Sequence, residues 1–517
     1  MILEKEYKKR TTLSHRKKYA QFFTPKPVAQ IMIDWILDTP KFNTLLEPAF
    51  GLGIFSRLLL KLKQNIEISS FDVDPVIFNI AKQNFGNYSN INFFLEDYLF
   101  NDWNNKYDVI ICNPPYFKFH DYENKKTLEE IMYRLKINLS GFTNIYTLFL
   151  LKSIYQLNEN GRAAYIIPSE FLNSDYGKLV KDYLIKSKSL RHIVVFDFNE
   201  NIFDDALTTS AILLFEKNKK SSKVSFSNIH NLAELEAFPN IPKIDFETQS
   251  LNPNIKWRTY YQEQKSEKYK NLMPFKNVAK VVRGIATGAN DYFTFNQNKS
   301  NKYKIIHKCL LPCITKSKDV MSPFFTNDDF EKLKNKNANI YLFDACKSQN
   351  EENTLKYIEL GEREGINKKY LTSKRTPWYS LENRPPSPIW VGVFNRKGLK
   401  FIRNEANISN LTTFHCIYPN SNLFYKINID LLFAYLLTDV AKQIFSDNRR
   451  EYGNGLKKFE PNDLNNALML DLTILDSETE NDIINLYMNY KRSVVDKKPN
   501  EKYIDEINKI LIKKYEA

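Results

Sequence analysis

The sequence predicts an α/β fold with a doubly wound sheet in its first half, followed by a second domain of different character. Short apolar segments alternate with amphipathic helical segments from residue 42 to residue 216. Such alternation is typical of parallel strands with crossover helices on both faces of a sheet. Around residues 217–265 the chain becomes polar and contains several prolines. We therefore place a domain boundary near residue 245, with domains 1–245 and 246–517.

Seven segments are predicted as strands because they are short, apolar and rich in β-branched or aromatic residues. They are Thr44 to Glu47, Ile66 to Phe71, Ile91 to Leu95, Asp108 to Cys112, Arg162 to Ile167, His192 to Phe198 and Ser210 to Glu216. The stretches 53–64, 75–85 and 144–157 carry apolar residues at helical spacing and are predicted as helices. Beyond residue 245 the pattern is irregular, with aromatic-rich strands and proline-rich turns.

The bulk composition predicts a folded, soluble, cytoplasmic protein. With 43% hydrophobic residues among 517, the chain is large enough for two or three domains with their own cores. The apolar runs are too short for a membrane span, and the N-terminus is charged. Five cysteines without paired CxxC motifs predict structural thiols and no metal site, including Cys309 and Cys313.

The positive charge is concentrated in the second half of the chain. The net charge is +14, of which residues 1–245 carry +3 and residues 246–517 carry +11. A surface that faces nucleic-acid phosphates requires such an excess. Solubility alone is an alternative reason for it.

Three carboxylates follow three successive predicted strands. Glu47 precedes a turn with Gly51 and Gly53, and Asp72 and Asp97 end the next two strands. Glycines at such a turn let the backbone approach a ligand, although a G-x-G turn can also be purely structural. Asp72 suits the two hydroxyls of a ribose, and Asp97 suits an adenine amino group. Together they predict a nucleoside pocket at the carboxyl edge of the sheet.

The fourth predicted strand ends in the rigid sequence Asn113-Pro114-Pro115-Tyr116. The Asn113 amide oxygen and the Pro114 carbonyl are two acceptors in a segment whose φ angles the prolines restrict. Two fixed acceptors suit an amine on an sp² carbon, because accepting both hydrogens frees the nitrogen lone pair for attack. The ring of Tyr116 can stack on the group that carries the amine.

The order of these motifs resembles the gamma class of DNA adenine N6 methyltransferases, the TaqI-like group. The matching segments are "QFFTP" at 21–25, "EPAFGLG", "FDVDP", "LED", "NPPY", "GRAAYIIPSEFL" and "NIFDDALTTSAILLFEK". They cover residues 18–216 almost completely. The resemblance implies a Rossmann-like methyltransferase domain with a mixed, mostly parallel seven-stranded sheet. An α+β target recognition domain would follow it.

The resemblance also implies S-adenosyl-L-methionine as the methyl donor and assigns residues to it. Thr24, Glu47, Ala49 and Gly51 would lie near its methionine part, with Gly53 completing the turn. Asp72 would hold the ribose and Asp97 the adenine. Val73 and Tyr98, which directly follow these two carboxylates, complete the expected set of cofactor-binding residues.

The implied substrate is an adenine flipped out of double-stranded DNA. Asn113, Pro114, Pro115 and Tyr116 would receive it, together with Phe203, whose motif is short and for which core packing is an alternative. Segments 281–295, 401–419 and 449–464 resemble recognition domains of related restriction-associated methyltransferases. The basic residues predicted there as DNA contacts are Arg283, Arg449, Arg450, Lys457 and Lys458.

Two alternatives share parts of this pattern. NPPY also occurs in methyltransferases of protein glutamine and of RNA, since those substrates also carry an amine on an sp² carbon. A DNA-specificity subunit without activity is the second alternative, which the complete set of motif residues disfavours. We expect a monomeric enzyme of a restriction-modification system, with a separate cognate endonuclease as a potential partner and no membrane association.

Overall fold

A computed structural model provides the three-dimensional structure of the chain. It describes residues 2–116, 125–138, 144–196, 210–218, 222–347, 350–382, 384–395, 398–420, 427–452 and 456–516. Among these residues, no helix combines the length and the apolar character needed to cross a membrane.

The chain divides into two compact units. The first comprises Met1–Glu263 and the short segment Glu451–Gly455, and the second comprises Gln264–Arg450 and Leu456–Ala517. The sequence predicts the boundary near residue 245, within the strand Ile244–Glu247, whereas the division by contacts falls after Glu263. Residues between these two positions still pack on the first unit, because Trp257 and Tyr261 belong to its hydrophobic core.

The first unit contains nine described helices and nine described strands. The helices are α1 (Ile2–Arg10), α2 (Leu13–Lys18), α3 (Lys26–Leu37), α4 (Ile54–Leu59), α5 (Pro75–Asn84), α6 (Lys125–Leu135), α7 (Ile145–Gln156), α8 (Gly177–Ser187) and α9 (Leu232–Glu236). The strands are β1 (Thr44–Glu47), β2 (Glu67–Asp72), β3 (Ile91–Leu95), β4 (Tyr107–Cys112), β5 (Leu157–Pro168), β6 (Leu190–Phe196), β7 (Ser210–Glu216), β8 (Lys223–Ile229) and β9 (Ile244–Glu247).

All nine strands form one mixed sheet in the order β3-β2-β1-β4-β5-β7-β6-β8-β9. Strands β3 to β5 in this order are parallel, and β7 runs antiparallel to both β5 and β6. The seven predicted strands are all present, and the predicted α/β class is confirmed. β8 and β9 extend the sheet beyond the expected seven strands. Their sequences are partly polar because β9 lies at the edge, where side chains remain exposed.

Hydrophobic cores lie on both faces of this sheet. Along β4, Ile110 and Cys112 join a core with α6, α7 and α8, while Val109 and Ile111 join a core with α3 and α4. Successive side chains of a strand point to opposite faces, so a strand buried on both faces reads as a continuous apolar run. The continuous apolar run of β4, which ends just before Asn113, therefore indicates a strand that is covered on both faces, as in a doubly wound sheet.

The second unit also mixes helices and strands. Its helices are α10 (Asn290–Phe293), α11 (Gln297–Tyr303), α12 (Asn327–Asn335), α13 (Glu352–Arg363), α14 (Ile429–Leu437), α15 (Asp439–Ser446), α16 (Pro461–Asn465), α17 (Ser477–Val495) and α18 (Lys502–Tyr515). Its strands are β10 (Leu272–Pro274), β11 (Ala279–Arg283), β12 (Thr294–Phe295), β13 (Leu310–Ile314), β14 (Phe324–Phe325), β15 (Tyr341–Phe343), β16 (Ile389–Gly392), β17 (Phe394–Asn395), β18 (Phe401–Asn404), β19 (Ser409–Asn410), β20 (Phe414–Pro419), β21 (Arg450–Tyr452), β22 (Leu456–Lys458) and β23 (Leu468–Leu470).

A five-stranded sheet, β11-β20-β16-β18-β14, is central to the second unit. One of its faces packs against α14, α15, α17 and α18, and Trp390 and Phe414 on the other face join a separate aromatic core. A four-stranded sheet, β12-β15-β13-β19, adds to that second core. This is the α+β architecture that the sequence predicts.

We predict that Gly53→Ala destabilises the first unit strongly. Gly53 has φ +67°, and an added Cβ would lie 2.6 Å from Phe50 and from Phe85. The unfavourable φ and the overpacking each cost about 1–3 kcal/mol, so we expect a loss of roughly 2–6 kcal/mol in the free energy of unfolding.

Gly51→Ala is the matched control for this prediction. Gly51 has φ +55°, but the nearest atom to an added Cβ is 3.9 Å away. Only the strain term of about 1–3 kcal/mol should remain. Denaturant unfolding of the unliganded variants measures both losses, and equal losses would contradict the steric argument.

Candidate active site

The candidate site lies at the carboxyl edge of the first unit's sheet, between β1 and β4. The chain leaves β1 toward β2 on one side, and β4 lies on its other side, so the strand order reverses there. In open α/β sheets ligands bind at such a reversal, outside the carboxyl ends of the strands. Glu47 ends β1 and Asn113 directly follows β4, so both motifs reach this position.

A cavity with an empty volume of about 870 Å³ opens at this edge. Three segments supply most of its lining: the chain before α3, the turn after β1 and the ends of β2 to β4. The lining residues are Glu4, Tyr19, Ala20, Gln21, Phe22, Phe23, Thr24, Pro48, Ala49, Phe50, Gly51, Leu52, Ile54, Phe55, Asp72, Val73, Ile77, Glu96, Tyr98, Asn113, Pro115 and Phe149. Most of the predicted cofactor residues are thus brought to one place.

Asp72 joins the glycine turn to the second strand. Its carboxylate accepts the backbone N–H of Gly51 at 2.9 Å and that of Asp74 at 3.0 Å. Burial raises the pKa of Asp72 to about 6, although these backbone donors oppose the rise. Val73 beside it lines the cavity with an exposed side chain (53%), which offers an apolar surface to a ligand.

Glu47 is fully buried beneath the cavity. Its Oε2 accepts the hydroxyl hydrogen of Ser56 at 2.5 Å, while Oε1 has no hydrogen-bond partner among the described residues. Burial raises the pKa of Glu47 to about 8. Ser56 occupies the third-glycine position of a dinucleotide fingerprint, and its role as the partner of Glu47 was not predicted from the sequence. A buried carboxyl oxygen without a donor is a position that a ligand cation or donor can occupy.

The residues after β3 that line the cavity differ from the predicted one, Asp97. Glu96 and Tyr98 line the cavity, and the Asp97 between them accepts the backbone N–H of Leu99 at 2.9 Å. The buried Tyr98 hydroxyl donates to Oε1 of Gln156 at 2.6 Å, which fixes the ring at the cavity wall. Glu96 is therefore an additional carboxylate at this position, next to the predicted one.

The N-terminal segment is held at the cavity by Asp74, which the sequence did not single out. Asp74 is buried and caps α5, and its Oδ2 accepts hydrogen bonds from Gln21 at 2.6 Å and His15 at 2.8 Å. The hydroxyl of Tyr7 lies 3.3 Å from the same oxygen. An aspartate immediately before Pro75 is a helix-capping signal, and the capping half of its role was readable from the sequence.

The Asn113 side chain is fixed in orientation. Its Nδ2 donates to the main-chain carbonyl of Phe22 at 2.7 Å and to the hydroxyl of buried Thr24 at 3.0 Å. A carbonyl can only accept, so the amide nitrogen must face Phe22 and the amide oxygen must face away. Thr24, predicted as a cofactor residue, thus also touches the predicted catalytic residue.

Tyr116 contacts the same amide from the other side. Its hydroxyl donates to Oδ1 of Asn113 at 2.8 Å, and its ring stacks on Phe22 with the ring centroids 5.3 Å apart. No second donor to this oxygen is present in the described part of the chain, and a carbonyl oxygen has two lone pairs. One acceptor position of Asn113 therefore remains available.

The prolines and Phe203 complete the predicted set. Pro114 is buried, and Pro115 is partly buried and lines the cavity. Phe203 lies outside the described residues. The described residues contain no group of three or more His, Cys, Asp or Glu side chains that could hold a metal ion.

Comparison with known families identifies two matches along the chain, which overlap over residues 256–314. Residues 8–314 match the family described as N-6 DNA Methylase. Residues 256–512 match the C-terminal domain of the type II methyltransferase M.Eco57I. The first match includes more than half of the chain and all the cavity residues from Tyr19 onward.

Full-length relatives agree with these matches. The chain is 58% identical to the type II methyltransferase M.AccI of Acinetobacter calcoaceticus, over 99% of this chain and 96% of that protein. It is 21% identical to the type II methyltransferase M.XamI of Xanthomonas campestris pv. amaranthicola, over 87% and 85% of the two chains. The chain belongs to the N-6 DNA methylase family.

The fold of this N-6 DNA methylase also occurs among solved structures. The type IIL restriction-modification enzyme MmeI, solved in complex with DNA, matches with a TM-score of 0.59 at 13% identity. The match covers 94% of this chain and 72% of MmeI. At this identity the likeness concerns the fold alone, and it extends to the second unit.

The second unit of this N-6 DNA methylase brings two predicted DNA contacts together. Arg283, which is exposed, and Lys458 line one cleft with an empty volume of about 940 Å³. Lys458 pairs with Glu460 at 2.5 Å. Arg449 is half-buried, whereas the side chains of Arg450 and Lys457 lie outside the described part. The DNA contacts stay predictions.

We predict that Glu47 makes the stability of the unliganded protein depend on pH. The pKa of Glu47 is about 8 in the folded protein, whereas its ordinary value is 4.5. The folded state therefore retains the proton of Glu47 to a higher pH than the unfolded state does. Its stabilising contribution is complete below pH 4.5 and is lost as the pH rises through about 8. Wild type should lose up to about 1.4 kcal/mol per pH unit in this window relative to Glu47→Gln.

Thermal unfolding midpoints at a series of pH values measure this difference. Glu67→Gln, which removes an exposed glutamate at the start of β2, controls for the loss of one carboxylate. A difference between wild type and Glu47→Gln that stays constant across the window would contradict a buried, neutral Glu47.

Proposed function

We propose that this enzyme transfers a methyl group from S-adenosyl-L-methionine to the N6 amine of a flipped adenine in double-stranded DNA. The observation that carries the proposal is the fixed amide of Asn113 in the lining of the cavity at the carboxyl edge of the sheet. Its nitrogen is occupied by Phe22 and Thr24, so its oxygen is the group left for a substrate amine.

The cavity residues fit the cofactor. Asp72, in the lining, suits the hydroxyls of a ribose. Glu47 does not line the cavity but directly precedes the lining residues Pro48 and Ala49, and its orphaned Oε1 suits the ammonium of a methionine group. Val73 and Tyr98 offer apolar surface, while Glu96 or Asp97 supplies an acceptor for an adenine amino group. Ala49, Gly51 and Gly53 keep the turn open beside them. S-adenosyl-L-methionine supplies an electrophilic methyl group when bound.

The chemistry at the amine depends on acceptors that are already in place. Asn113 Oδ1 accepts one hydrogen of the adenine N6 amine, and the Pro114 carbonyl accepts the other. With both hydrogens held, the nitrogen lone pair leaves conjugation with the ring and becomes available for attack. Because the amide is oriented before substrate arrives, little reorganisation is needed during the reaction.

The target base must leave the duplex to reach these acceptors, because N6 is otherwise paired and stacked. Tyr116 forms one side of the receiving pocket, with Phe203 proposed nearby. Phe22 stacks on one face of Tyr116, so the base would use the opposite face or the ring edge. The first unit carries this reaction, and the second unit binds the DNA target.

A role in restriction-modification follows from the family. The enzyme would methylate host DNA at a specific site and protect it from a separate cognate endonuclease. A monomer that methylates one strand per binding event is sufficient, since both the cavity and the Asn113 acceptor belong to one chain.

The function is tested by the product of the reaction and by Asn113→Ala. We expect wild type to form N6-methyladenine in duplex DNA, and Asn113→Ala to lose methyl transfer by at least about a thousandfold through loss of the acceptor. Mass spectrometry of digested DNA measures the product, and calorimetry with S-adenosyl-homocysteine measures cofactor-site binding. Asn84→Ala, at the exposed end of α5, is the control.

RNA and protein substrates incubated in parallel test the alternative acceptors. Methylation of RNA or of a protein glutamine instead of DNA would contradict the proposal. So would N6-methyladenine formation by Asn113→Ala at the wild-type rate.

We predict that Asp72→Ala weakens cofactor binding while leaving DNA binding intact. A charged acceptor facing two ribose hydroxyls contributes roughly 1.5–3 kcal/mol per hydrogen bond, so the affinity should fall by at least about tenfold. Calorimetry with S-adenosyl-homocysteine measures this, and Asp34→Ala, which removes an exposed carboxylate of α3, is the control. Unchanged affinity in Asp72→Ala would remove this residue from the pocket.

A further inference from the structure

A short basic segment of the second unit, residues 366–375, is held rigidly by its own buried side chains. Ile366 and Thr372 are buried, and the Thr372 hydroxyl donates to the main-chain carbonyls of Ile366 and Lys369. Two 3-10 turns, Ile366–Lys368 and Thr372–Lys374, form around these bonds. The backbone between them is therefore fixed, although most of its side chains face solvent.

Three lysines and a tyrosine project from this segment. Lys368, Lys369 and Lys374 are exposed, and Tyr370 is 78% exposed. Nζ of Lys374 lies 6.0 Å from the centre of the Tyr370 ring. An exposed aromatic ring among cations is typical of surfaces that contact nucleic acid, where the cations meet phosphates and the ring packs on sugar or base.

These lysines differ from the lysines on nearby helices of the same unit. On α12, α13 and α18, Lys332, Lys356 and Lys509 pair with carboxylates three or four residues away. Among the described residues, no carboxylate lies within 4.0 Å of the amino groups of Lys368, Lys369 or Lys374. Their charge is therefore not neutralised by the protein itself, which leaves it available to an external polyanion.

The segment is attached to the cleft that contains Arg283 and Lys458. Arg375 donates to the main-chain carbonyls of Ala286 and Thr287, in the loop that follows β11. Leu371 and Thr287 both line the cleft. Leu371 thus brings the basic segment to the rim of the cleft that Arg283 lines.

We propose that residues 366–375 are a phosphate-binding rim that holds the DNA duplex at this cleft. Lys368, Lys369 and Lys374 contact backbone phosphates, while Tyr370 packs against the sugar-phosphate chain. Such contacts position the duplex and carry no base specificity. The proposal rests on the proposed function, because it takes double-stranded DNA as the substrate.

The test is the triple variant Lys368→Ala/Lys369→Ala/Lys374→Ala of the full-length enzyme. We expect its affinity to fall by about 10- to 100-fold for target and non-target duplexes alike, with a salt dependence less steep by about two to three counterions. Fluorescence anisotropy with labelled duplexes over a range of salt concentrations measures both.

The matched control is Lys332→Ala/Lys356→Ala/Lys509→Ala, which removes the same charge from lysines that are paired with carboxylates. We expect this control to bind DNA within about threefold of wild type. Equal losses in both triple variants would overturn the proposal, since general charge would then explain the binding. An unchanged affinity in the rim variant would overturn it as well.

Failure of the rim proposal can be distinguished from failure of the proposed function. If wild type forms N6-methyladenine and the rim variant binds like the control, the rim proposal alone is wrong. If wild type methylates no DNA, the proposed function is wrong, and the rim proposal falls with it.

Discussion

The hydrogen bond from the Asn113 side chain to the Phe22 carbonyl is the contact on which the site depends. It joins the segment before α3 to the end of β4 and decides which atom of the amide remains for a substrate. That segment is itself anchored through Gln21 and His15 to the buried Asp74 at the start of α5. The position of the Asn113 acceptor therefore depends on the buried carboxylate of Asp74, which lies between β2 and α5. A change in this anchor would move the acceptor without touching the reacting atoms.

The cofactor side of the cavity is built from carboxylates whose protonation the fold controls. Glu47 and Asp72 lie at the ends of adjacent parallel strands, and burial raises the pKa of both. A cationic ligand would favour their charged forms and would thus couple binding to proton release. In the unliganded protein, burial favours the neutral form of Glu47 over its charged form, and Glu47 accepts a hydrogen bond from Ser56. Binding and stability are therefore linked through the same buried group.

The second unit separates its structural charges from the charges that are left for a ligand. On its helices Lys332, Lys356 and Lys509 pair with neighbouring acids, whereas Lys368, Lys369 and Lys374 of the rim segment, residues 366–375, form no ion pair with a described carboxylate. A cluster on a rigid backbone loses little backbone order when it meets a polyanion, so the ordering cost is confined to the lysine side chains. Arg283 in the adjacent cleft adds to the same surface. Under the two proposals, DNA positioning and methyl transfer rely on different residues in different units.

The sequence by itself determined the class of the fold, seven of the nine strands in the first unit's sheet and the edge at which the site forms. Those features follow from local patterns: apolar runs of strand length, glycines at a turn, and the stiff Asn113-Pro114 junction. The strands β8 and β9 were missed because both are partly polar and lie in a stretch whose composition resembles a linker; of the two, only β9 is an edge strand. Only the tertiary structure decided the partners of the functional groups. Folding brings together Asp74 and Gln21, Ser56 and Glu47, and Tyr116 and Asn113. Spacing along the chain does not encode which of several nearby polar atoms will form a hydrogen bond. The lysines of the rim could be counted in the sequence, but whether a carboxylate neutralises each one depends on three-dimensional distance, which is why their role emerged from the structure.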